Sequence, residues 1–113
     1  MKDSAVFKTL RKLSRVEAFY FFTSIGNYTG VSAASLEEFV EKIREVNIKS
    51  LEFHLSRWDF EKWATEVLED EKLAEQIKSV RTLGVIGDAL RDQLYFAVLK
   101  RYEELKSQIP PFS

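Results

Sequence analysis

A chain of 113 residues, 45% hydrophobic and 31% charged, has the composition of one globular domain rather than of a disordered segment. It contains no cysteine, which excludes disulfides, thiolate metal sites and cysteine nucleophiles and fits a reducing compartment. Its 17 basic and 18 acidic residues leave a net charge of −1, so no global field draws it to nucleic acid or anionic lipid.

The charges are unevenly placed. Residues 1–14 read as a basic N-terminal helix or arm; with Arg15 the segment carries Lys2, Lys8, Arg11 and Lys12 against Asp3. The stretch from Asp59 to Lys72 carries six acids against Lys62 and Lys72. Solvated helix faces explain most such runs; the sharper reading pairs the basic arm with an acidic face of the same molecule or a neighbour. The abundance of Glu and Lys leans toward a thermophilic source, a bias that helical proteins share. No secretory leader pattern and no apolar run of the ~20 residues a span needs are visible. The expected location is the cytoplasm, away from membranes.

In chain order, Val6, Phe7, Leu10 and Leu13 share one face of a short helix over Ser4–Leu13. Residues 16–23 are apolar nearly all round and aromatic; with no second strand in view to pair with them, they are expected to form a buried helix. Ile25–Ser35, rich in Gly, Asn, Ser and Thr, reads as a loop. Ser35 with Glu38 three residues on is a capping box for a helix that buries Leu36, Phe39, Val40 and Ile43 and stops at Asn47.

Ser50 is expected to open a short helix and Asp59 to cap the next, with Phe60, Trp63, Ala64, Val67 and Leu68 inward. Asp70 caps another that buries Leu73, Ala74, Ile77 and Val80, and the last helix runs from about Gly84 to Gln108, ended by Pro110-Pro111. The expected fold is all-α: one domain over residues 1–113, a compact orthogonal bundle of five to six helices with a long C-terminal helix.

Chemistry concentrates in residues 50–68, which hold the only histidine, His54, and both tryptophans, Trp58 and Trp63. Asp59 lies five residues beyond His54, too far for one helical face unless the chain turns at Arg57-Trp58. With that turn, Asp59 or Glu52 would orient the imidazole as a base or ligand. The plainer reading is a histidine packed in the core. Trp63 falls with the core residues; Trp58, before the cap, is either a hydrophobic staple on Trp63 or a surface anchor, with Arg57 and His54 beside it as candidate interface residues.

The acids Glu37, Glu38 and Glu41, and Glu66, Glu69 and Asp70, sit at helical spacing but lack the Glu-x-x-His pairs of a di-metal bundle, so no metal or cofactor is expected. Gly84-Val-Ile-Gly-Asp is neither a Walker loop nor a dinucleotide fingerprint, though an anion could rest on the helix start. No recognition helix for DNA is visible, and nucleic acid is an unlikely partner except through the N-terminal arm.

Phe53-His54, Asp59-Phe60 and Trp63, followed by Glu69-Asp70-Glu71-Lys72-Leu73-Ala74 and preceded by Thr29-Gly30 and Leu36-Glu37-Glu38, resemble an uncharacterised, largely archaeal helical domain family of unknown function. The resemblance implies a helical fold and no catalytic residues. The function expected from the sequence is a non-enzymatic helical module that binds another protein or itself. The alternatives are a small enzyme or ligand-binding domain using His54 with a carboxylate, and a weak nucleic-acid binder using the basic arm. Nine Phe, four Tyr and two Trp are more aromatic surface than a small core needs, so an exposed apolar patch is expected.

Overall fold

A computed structural model describes residues 2–110, with side chains from residue 5 onward. Among them are six helices and one hairpin: α1 (Lys2–Leu10), β1 (Phe19–Ser24), β2 (Asn27–Ala33), α2 (Leu36–Glu45), α3 (Ile48–Ser56), α4 (Asp59–Glu66), α5 (Glu71–Leu83) and α6 (Gly87–Ser107). The chain is mostly helical, with the long C-terminal helix expected, but it is not all-α.

The antiparallel hairpin is the main correction. The segment expected as a buried helix is β1, and most of the expected loop is its partner β2. Phe19 and Phe21 point into the core while Tyr20 points out, an alternation of period two that the surrounding aromatics hide. β2 was hard to see because its ladder is broken. Tyr20 pairs with Ser32 and Phe22 with Tyr28, so β2 holds extra residues at a bulge. Gly30 supplies the positive φ there, +85°. The Thr29 hydroxyl fills the gap, donating to the Phe21 carbonyl (2.7 Å) and accepting from the Val31 N–H (3.1 Å).

The capping box forms with one shift. Ser35 Oγ accepts from the Glu38 N–H at 3.1 Å, but Glu38 Oε1 accepts from Ala34, not Ser35. Leu36, Phe39, Val40 and Ile43 are buried as expected. Asn47 is not a left-handed stop; it caps α3, its side chain accepting from the Lys49 N–H. The left-handed residue after α5 is Gly84 (φ +69°), so α6 starts three residues later than expected.

One core cluster joins hairpin and helices. Phe19, Phe21, Phe39, Phe60 and Trp63 form its aromatic centre, with centroid separations of 4.9 Å for Phe19–Phe21 and for Phe39–Trp63. Each such ring, taken from water, contributes about 1.5–3 kcal/mol. The basic segment packs onto the same molecule: Lys8 pairs with Glu69, Arg11 with Glu17 and Lys12 with Glu38. The Lys12 ammonium and the Ala34 N–H hold the Glu38 carboxyl below its ordinary range.

Candidate functional site

The chain turns at Arg57-Trp58. Trp58 takes a left-handed conformation (φ +66°), which a tryptophan adopts only when its surroundings impose it. Those surroundings come from α5. The Arg81 guanidinium lies 3.2 Å from the centre of the Trp58 ring and donates twice to Glu61 Oε2, at 3.0 and 2.8 Å. Trp58 is therefore not a staple on Trp63; it remains 44% exposed with Arg81 on its face. Asp59 is the first residue of α4, not its cap.

The turn brings Asp59 back to His54. Asp59 Oδ2 lies 2.8 Å from Nδ1. On the other side of the ring the Phe22 backbone N–H donates to Nε2 at 2.8 Å. A backbone N–H can only donate, so Nε2 is the unprotonated nitrogen and the proton resides on Nδ1, directed at Asp59. Burial pushes the imidazole below its ordinary range, against the upward pull of the Asp59 carboxylate; Arg57 adds to the lowering. His54 is 5% exposed, packed edge-on to Phe19 at 4.8 Å. Glu52, the other candidate orienter, turns away. Its carboxylate accepts from the Gly87 N–H at the start of α6 (3.3 Å), so the protein's own anion occupies the place where an external one was considered.

Above this floor opens a groove of about 390 Å³. Its rim is Tyr20 and Phe22 of β1, Ile25 and Gly26 of the hairpin turn, and Phe53 and Arg57 of α3 and its end. Arg57 lies over the Phe53 ring at 5.1 Å and donates to Asp59 at 3.2 Å. Ile25 is 82% exposed, and Tyr20 and Tyr28 stand beside each other on the outer face of the hairpin. Of the interface candidates, Trp58 and Arg57 are accessible, whereas His54 presents almost none of its surface. Of the rim residues, Phe53 stood in the Phe53-His54 motif quoted from the sequence; Tyr20 and Ile25 were not singled out as site residues, and only the aromatic excess pointed toward Tyr20. Arg81, distant in sequence, gave no signal.

A larger cavity, about 550 Å³, lies between α1, the α4–α5 junction and α6. Its charges are matched internally: Arg101 donates to both Asp70 oxygens, at 2.7 and 3.0 Å, and Lys8 pairs with Glu69. With its charges already matched, it offers a ligand less than the open aromatic groove. Among the described residues no three potential metal ligands converge, and no helix is long and apolar enough to cross a membrane.

No protein-family model matches the chain, and no curated protein or solved structure matches it.

Proposed function

We propose that this protein is a non-enzymatic interaction module that binds a partner protein through the aromatic groove beside its hairpin. The observation that carries this reading is the division of labour at the groove: the polar floor is internally satisfied, and the exposed rim is aromatic and aliphatic with a single arginine. Aromatic side chains and arginine are enriched among interface anchors, the aromatics because they bury much area for little lost freedom and arginine because its planar group both stacks and donates several hydrogen bonds. A general base needs a free lone pair within reach of a substrate proton. The one lone pair on the His54 ring is held by the Phe22 N–H, which weighs against the enzyme reading. The nucleic-acid reading is weakened in turn, since Lys8, Arg11 and Lys12 direct their charges at carboxylates of the same chain.

The test is affinity capture from a lysate of the source organism, with three baits compared. The wild-type protein and His54→Gln are expected to retain the same partner; a Phe53→Ser/Arg57→Glu double variant is expected to lose it. Retention by the double variant, or loss that follows His54 alone, would overturn the proposal.

A further inference from the structure

The outer face of α5 and α6 carries a second apolar patch, remote in sequence from the hairpin. Leu83 and Phe96 are 57% and 61% exposed. Phe96 stands at the edge of a groove of about 360 Å³ between the two helices, whose walls include Val80, Leu83, Gln93 and Ala97. Large apolar side chains scattered singly are ordinary; Leu83 and Phe96 on one groove, with Val80 and Ala97 between them, make a continuous apolar surface that another molecule can cover.

The charges flanking Phe96 identify that molecule. Asp92 and Lys100 lie four residues before and after it, and positions four apart share a helix face. Both are exposed, and neither forms an ion pair among the described residues. Four residues are about 6 Å of helix rise, so an antiparallel copy of α6 crossing at Phe96 sets each Asp92 level with the other copy's Lys100. The same two-fold places Ala89 opposite Glu103 and Gln93 opposite Leu99; farther out on the row, Asp88 falls level with the other copy's Glu104, whose charge Arg101 and Lys72 of its own chain already offset. An isologous interface requires a patch complementary to itself, and this stripe is one.

We propose that a second copy of this chain docks here, α6 against α6 in antiparallel orientation about a two-fold axis at Phe96. Each Phe96 enters the α5–α6 groove of the other copy, and two Asp92–Lys100 pairs fix the register. The apolar contact supplies the affinity, since exposed ion pairs contribute little; the charges select the antiparallel arrangement. This surface is separate from the hairpin groove, and either can fail without the other.

Sedimentation equilibrium over a concentration series up to about 1 mM, the weak end of specific association, tests it. The wild-type protein is expected to approach twice the monomer mass, and Phe96→Glu to remain monomeric with an unchanged circular dichroism spectrum and melting temperature. Lys100→Glu sets like charges opposite each other twice and is expected to weaken the dimer about tenfold. The Asp92→Lys/Lys100→Glu exchange restores the pairing and is expected to recover affinity to within about threefold of wild type. A wild-type protein that stays monomeric throughout, a Phe96→Glu variant that still dimerises, or a charge exchange no stronger than Lys100→Glu alone would each overturn the proposal.

Discussion

The floor and the rim of the hairpin groove are made by the same turn of α3 and the same strand, yet they are built on opposite terms. At the floor, His54 is enclosed by aromatic rings and both of its nitrogens are engaged, by Asp59 and by the Phe22 N–H. At the rim, Phe53 and Arg57 lie over each other, each with one contact to the floor, Phe53 to the His54 ring and Arg57 to Asp59, and their outer surfaces stay open. The residue type most often associated with chemistry is here a structural tie between a helix and a strand. On the proposed reading, the plain aromatic residues around it carry the surface that a partner covers. A histidine's role follows from the free valence of its ring, not from its identity or from a carboxylate beside it.

The largest effect is expected where the floor is broken at its packing. Phe39→Ala removes a fully buried ring that touches Phe19, Phe21, Phe60 and Trp63, and is expected to destabilise the fold by about 3–5 kcal/mol in urea unfolding. Phe53→Ala at the rim is expected to cost well under half as much; equal costs would erase the distinction between floor and rim.

His54→Gln tests the tie itself, with an expected loss of about 1–3 kcal/mol from unpairing buried groups. The pH dependence gives it a sharper signature. Burial holds the folded imidazole below its ordinary 6.5, so the unfolded chain takes up a proton first as pH falls. Stability from this site is complete above about pH 6.5 and declines below it until the folded ring titrates as well. His54→Gln is expected to lack that decline. It keeps only the loss at lower pH, where Glu17 and Glu38, both held below 4.5 when folded, become protonated.

Smaller still is Ser35→Ala, which removes the cap of the helix bearing Phe39 and is expected to cost about 1 kcal/mol by thermal unfolding. The smallest change in stability, within about 0.5 kcal/mol, is expected from Arg57→Glu at the rim, where the exposed pair with Asp59 contributes little. The same substitution is expected to have the largest effect on partner capture.

How much of this was legible in the sequence depended on whether the signal was local. The helix from Leu36 and its cap were visible because Ser35, Glu38 and the Leu36–Ile43 stripe lie within three turns of each other. The His54–Asp59 contact was foreseeable on the condition of a turn at Arg57-Trp58, and the turn is there. The hairpin was not legible: its pairing skips register at Thr29–Val31, so β2 shows no clean alternation, and a strand without a visible partner reads as a helix. Nor was the fate of Nε2, because a backbone N–H 32 residues away leaves no mark in the identity of Phe22. The fate of Asp70 was hidden in the same way: placed as a cap by sequence, it makes no side-chain capping bond and instead receives two bonds from Arg101 on α6.

The most direct test of the account is nuclear magnetic resonance of the His54 ring, with long-range proton–nitrogen correlations followed as pH is lowered. The expected result is a neutral ring with its proton on Nδ1 at pH 6.5, a titration that falls below that pH, and a Phe22 amide protected from exchange until the ring titrates. A ring that carries its proton on Nε2, or that titrates at or above 6.5 while the Phe22 amide is unaffected, would contradict the assignment of His54 as the tie beneath the groove.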